Sequence, residues 1–137
     1  MEFSSINYLA VLVAGVASFA LGALWYSPVL FSKTWQKEVG LSDADMRNGN
    51  IAKTFGLSFV LMVVMALGMA MLLNHVGKGT DFMDGLKFGL AVGAFFSATS
   101  IGINYLYQRK SLKLWLIDAV YQIVFLGITG GILGAWH

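Results

Sequence analysis

One acidic side chain lies well inside an apolar stretch of this chain: Asp118, preceded by Leu114-Trp115-Leu116-Ile117 and followed by Ala119-Val120. An aspartate at the centre of a membrane helix costs about 2.5–3.5 kcal/mol on insertion scales, so it needs a partner, a water path or a proton. Tyr121 and Gln122, three and four residues further on, share its face of a helix. Asn104 precedes Ser111 by seven residues and Asp118 follows it by seven, so a hairpin turning there brings both to one depth, where they can meet. Trp25 and Tyr26 end the first apolar stretch on the same side, and Lys53, Arg109 and Lys113 are basic groups within reach. The expected site is therefore a polar cluster of Asp118, Asn104, Gln122, Tyr121, Tyr26 and Trp25. Two chemistries fit it. Asp118 is either the ionisable member of a proton site, a cation site or a small-molecule pocket, or a pin that bonds Asn104, Tyr26 or a basic loop residue and holds the hairpin in register.

Other chemistry finds no support in the residue pattern. His75 and His137 have no carboxylate or second imidazole at ligand spacing, so no metal site is expected. Ser97 and Ser100 have no histidine at their depth to activate them. The absence of cysteine excludes disulfides, thiolate metal sites and dithiol redox chemistry. A phosphate-cradling G-x-x-x-x-G-K loop is missing too, so the expectation is no enzyme and no cofactor. Met62, Met65, Met69 and Met71 scatter around their helix and read as adaptable packing.

The elements that must position the cluster follow from composition. Of 137 residues, 58% are apolar and 12% charged, against roughly 25% charged in a soluble domain. Four spans are predicted, over residues 6–26, 54–76, 86–108 and 114–136, each near the ~20 residues that cross a bilayer core. The expected fold class is all-α: one transmembrane four-helix bundle over residues 1–137, with no room for a soluble domain. Glu2 in place of a basic leader, and the length of the first apolar stretch, argue that this span is retained rather than cleaved as a signal peptide.

Pro28 suits the first turn of a short interfacial helix capped by Ser27, with Phe31, Trp35 and Val39 opposite Lys33 and Lys37. Ser42 with Asp43 and Asp45 predicts a second capped start. Gly77, Gly79, Asp81 and Asp84 predict a turn followed by a helix start. Trp25, Tyr26, Trp35, Tyr105, Tyr107, Trp115 and Trp136 fall near span ends, where headgroup-level belts form.

The net charge of +2 comes from nine basic residues that sit in the loops, so the expected surroundings are a lipid bilayer and not nucleic acid. Seven of them, Lys33, Lys37, Arg47, Lys53, Arg109, Lys110 and Lys113, lie on one side, against Lys78 and Lys87 on the other. The positive-inside rule then places both termini outside the cytoplasm in one fixed orientation. Small residues recur every four positions: Ala10, Ala14, Ser18 and Gly22; Gly85, Gly89, Gly93 and Ser97; and Gly127, Gly131 and Ala135, accompanied by Gly130 and Gly134. Such faces let helix backbones approach closely. Three of them among four helices suggest that one serves a homo-oligomer or a membrane protein partner.

The segment Asn7-Tyr8-Leu9-Ala10-Val11, then Leu21-Gly22-Ala23-Leu24-Trp25-Tyr26-Ser27-Pro28, Phe31 and Trp35, resembles the opening of the bacterial membrane family catalogued as domain of unknown function 1761 (DUF1761). Leu116-Ile117-Asp118-Ala119-Val120-Tyr121 and Gly131-Ile132-Leu133-Gly134 are similar to its closing segment. The resemblance implies a small four-helix protein of the bacterial inner (cytoplasmic) membrane and carries no activity and no functional residue with it. The sequence thus points to a non-enzymatic bundle with a structural, accessory or ligand-binding role. The alternative is a small oligomeric transporter or channel using Asp118, Asn104 and Gln122.

Overall fold

A computed structural model describes residues 3–76 and 80–137. Asn7 opens helix α1 (Tyr8–Trp25), its side-chain oxygen accepting from the Ala10 amide at 3.1 Å. Ser27 does not cap the next helix, contrary to expectation. Its hydroxyl donates back to the Leu24 carbonyl at 2.6 Å, and the Phe31 amide reaches the Trp25 carbonyl at 3.1 Å. The turn is thus spent on carbonyls left open at the end of α1, and the amphipathic helix α2 (Ser32–Val39) begins only after Phe31. It stops at Gly40, whose φ of 84° is a left-handed conformation open to glycine.

Helix α3 (Asp43–Asn48) starts with the expected capping box between Ser42 and Asp45. The hydrogen bond from the Ser42 amide holds the exposed Asp45 carboxyl below its ordinary pKa. Helix α4 (Ile51–Val76) starts three residues before its predicted limit because Asn50 caps it, accepting from the Lys53 amide at 3.0 Å. Glu2 and the turn expected at Gly77 and Gly79, with Lys78 between them, lie outside the described residues. Asp81 then caps α5 (Phe82–Val92) by accepting from the Asp84 amide at 2.9 Å. A π-helical turn at Gly93–Ser97 leads into α6 (Ala98–Tyr107), and the whole stretch Phe82–Tyr107 makes one span. The connection through Arg109, with φ 58°, leads to α7 (Leu112–Ala135).

Among the described residues, four helices are long and apolar enough to cross a membrane, and they are not equivalent. Of the apolar stretch of each, 61% is buried in α7, against 28% in α1, 22% in α4 and 17% in the α5 to α6 span. The last helix is therefore the pillar: α1 and α4 pack on each other and on it, and the third span packs on it separately. Tyr121, Phe125, Leu126 and Leu133 of α7 form the core with Ala10, Val11 and Ala14 of α1 and Ala66, Met69 and Leu73 of α4. Met62, Met65 and Met71 lie partly buried against it.

The small residues make the closest contacts. A Cβ placed on Gly85 would sit 2.0 Å from the Gly130 carbonyl oxygen, and one on Gly89 would sit 2.0 Å from that of Leu126. Gly134 faces the Asp81 carbonyl in the same way, at 2.3 Å. Gly127 lies under Leu90, and Gly131 under the ring of Phe82. On α1, Ala10, Ala14 and Ser18 are buried, and Gly22 lies against the Tyr121 hydroxyl. All three faces thus make their close contacts within one chain, while Ala135, at the end of the third, is exposed.

The π turn explains how Gly85, Gly89, Gly93 and Ser97 all stay on α7. Four-residue spacing drifts by about 40° per step around a helix of 3.6 residues per turn, and one wider i to i+5 turn takes up the surplus. The Ala98 amide makes that i to i+5 bond to the Gly93 carbonyl. Thr99 then covers the Phe95 and Phe96 carbonyls, at 2.7 and 3.1 Å.

Ser111 joins the hairpin to α2. Its oxygen caps α7 by accepting from the Leu114 amide at 3.1 Å, and its hydroxyl donates to the Glu38 carboxylate at 2.6 Å. Ser111→Ala is expected to cost about 1–2 kcal/mol and to loosen α2. The measurement is a lower unfolding midpoint in detergent together with faster hydrogen exchange of the α2 amides.

Candidate functional site

Asp118 enters the bundle interior one and a half turns into α7 and is 9% exposed. Both of its carboxylate oxygens are taken by phenols. Tyr26, just past the end of α1, donates to one at 2.6 Å, and Tyr105 of α6 donates to the other at 2.5 Å. One carboxylate therefore ties the ends of three spans. A phenol offers a single O–H, so Tyr26 and Tyr105 each spend their one donor on this side chain.

The surrounding rings hold these donors in place. The Trp25 indole donates to the Ile117 carbonyl at 3.0 Å, fixing the end of α1 on α7 next to Asp118. The ring of Tyr26 packs edge-on against Trp35 of α2, at 6.0 Å between centroids, and against Tyr121, at 5.3 Å. Tyr121 sends its own hydroxyl to the Ser18 carbonyl at 2.9 Å. Deeper in the bundle, the Ser18 and Thr129 hydroxyls meet at 3.0 Å, both 1% exposed, and bridge α1 to α7.

Of the six residues expected to form the cluster, Tyr26 bonds Asp118 directly, and Trp25 and Tyr121 flank it. The other two do not join it. Gln122 points to the π turn, where it accepts from Ser97 at 3.2 Å. Asn104 is exposed. Its depth suits Asp118, but one residue is about 100° of helix rotation, and the face turned to α7 at that level belongs to Tyr105. The basic residues Lys53, Arg109 and Lys113 are also exposed, and the hydrogen-bond partners of Asp118 are phenols instead.

The residues that pattern reading missed are Tyr105, Trp115 and the pair of Ser18 and Thr129. Tyr105 and Trp115 look like belt residues because they sit at span ends. In the fold Trp115 donates inward, to the Ala98 carbonyl at 2.9 Å beside the π turn. The available signal was that a ring with an O–H or N–H at a helix end seeks a buried acceptor as readily as a headgroup. Of the expected belt, Tyr107 is 88% exposed and Trp136 is 42% exposed, and these two face outward.

Residues 9–134 match the family described as Protein of unknown function (DUF1761). The chain belongs to that family. No curated protein and no solved structure matches it. In this DUF1761 protein the two segments that carry the family likeness at sequence level lie far apart in the chain and meet at Asp118. Trp25 and Tyr26 come from the first, and Ile117, Asp118 and Tyr121 from the second.

The DUF1761 chain has a crevice of about 190 Å³ between α6 and α7, lined by Tyr105 and Trp115 but not by Asp118. Chemically, then, the Asp118 cluster is a filled hydrogen-bond junction. Every buried side-chain nitrogen and oxygen among the described residues has a partner.

Proposed function

We propose that this DUF1761 protein is a non-enzymatic, multi-pass protein of the bacterial inner (cytoplasmic) membrane with a structural or accessory role. In this reading Asp118 is the pin that closes the bundle. The supporting observation is the occupancy of both Asp118 oxygens by hydroxyls from two other spans. A carrier carboxylate must exchange its partners for the carried ion, whereas each oxygen of Asp118 is tied to a hydroxyl of another span in a side chain only 9% exposed. The proposed orientation puts the pinned end on the cytoplasmic side and both termini on the other. The bond from Ser111 to Glu38 brings the first and third loops, which hold seven of the nine basic residues, to that end.

The competing reading is a transporter working through Asp118, and flux separates the two. Purified protein in liposomes, wild type beside Asp118→Asn, is expected to move protons and monovalent cations no faster than empty liposomes. Wild-type flux above that background, abolished in Asp118→Asn, would overturn the proposal.

A further inference from the structure

We infer that the crevice between α6 and α7 binds an anionic phospholipid, the phosphate on Lys110 and the glycerol and upper acyl chain against the apolar walls. Leu106 and Leu112, 67% and 68% exposed, stand on either side, and Trp115 backs the crevice. Gly102 makes room for that indole, since a Cβ there would lie 2.8 Å from its nitrogen. At about 190 Å³ the space is smaller than the roughly 300–1,000 Å³ of pockets that enclose a small molecule. Its two leucine walls are exposed while the rest of the lining is half-buried, so its occupant is a molecule whose remainder lies outside, along the helices. Apolar walls also disfavour a free anion, which would leave them uncovered.

Charge selects the headgroup. Lys110 lines the crevice with its ammonium 5.7 Å from the centre of the Tyr105 ring, a cation–π contact that holds it at the edge while leaving N–H donors free. Arg109 and Lys113 flank it in sequence and are exposed. Two acidic groups lie next to the lining, Glu38 engaged by Ser111 and Asp118 engaged by Tyr105, and the three hairpin cations outnumber them. Basic pockets between spans, at the depth of Trp and Tyr rings, match the level of lipid phosphates. The inference rests on the spans lying in a bilayer and does not depend on the role of Asp118.

The test uses the full chain in mild detergent with equal amounts of phosphatidylglycerol and phosphatidylcholine, read by native mass spectrometry. Wild type is expected to retain phosphatidylglycerol in preference. Lys110→Gln should lower that retention about fivefold, the value of one basic residue near a charged surface, with phosphatidylcholine unchanged. Leu112→Trp, which fills the crevice, should remove the bound lipid. Unfolding midpoints check both variants, and the surface change Lys110→Gln, which removes only the charge and one end of the stem, decides should Leu112→Trp fail to fold. Equal retention of the two lipids by wild type, unchanged retention in Lys110→Gln, or displacement by millimolar inorganic phosphate would overturn the inference.

Discussion

Asp118→Ala is expected to destabilise the bundle by about 2–4 kcal/mol, because it removes the acceptor of two phenols at once. Hydrogen bonds to charged groups are worth about 1.5–3 kcal/mol in water-soluble proteins, whereas interhelical bonds inside membranes average about 0.6 and reach about 1.7 kcal/mol. The junction lies near the membrane surface and involves a carboxylate, so the upper part of the membrane range applies to each bond. Asp118→Asn should lose about 1 kcal/mol, since it keeps one acceptor oxygen and its amide can donate to the other phenol. Tyr26→Phe should lose about 1–2 kcal/mol, because Tyr105 still holds the second oxygen.

Combined with Asp118→Ala, Tyr26→Phe should be nearly silent. That non-additivity is the signature of the pin. Reversible unfolding in mixed micelles provides the measurement. Fully additive losses, or an Asp118→Ala variant as stable as wild type, would remove Asp118 from its proposed role.

Gly89→Ala is the second large effect, at about 2–3 kcal/mol or more of destabilisation. The new methyl would lie 2.0 Å from the Leu126 carbonyl oxygen and 2.7 Å from its carbon, which are backbone atoms of the pillar helix. No rotamer change relieves such a contact, so α5 must move away by about 1 Å and give up its close packing. The same replacement at Gly56 or Gly68 of α4, where nothing lies within 4 Å, should be neutral or stabilising by up to about 1 kcal/mol through helix propensity.

Gly127→Ala should fall between these cases, because the atom it meets is the end of the Leu90 side chain, which can turn aside. One chemical change thus acquires opposite signs according to what faces it. Unfolding midpoints of the four variants check that order, and a Gly89→Ala protein as stable as Gly56→Ala would contradict the observed seam.

Much of this architecture was legible in the sequence. The hydropathy pattern located four spans, and local chemistry placed a capped start at Ser42 and a start near Asp81 and Asp84, because a cap depends on atoms within three residues. The start of α2 was misplaced by the same local reasoning. Ser27 and Pro28 satisfy the cap pattern, but the open carbonyls of α1 compete for that turn and take it. The π turn was hidden as well, since it answers to the fit of Gly93 and Ser97 against α7 and not to any local preference of its own sequence.

The candidate site divides along the same line. Depth is a one-dimensional quantity: a fixed rise per residue and a polar hairpin determine that residues near 104 and 118 share a level. From the sequence alone it followed that Asp118 needs a partner and that Tyr26 is within reach. Which side chain of the neighbouring span turns inward depends on the rotation and crossing of packed helices, and only the tertiary structure decided for Tyr105 over Asn104. It also decided that the small-residue faces close one chain upon itself, because a stripe of glycines specifies close approach without specifying to what.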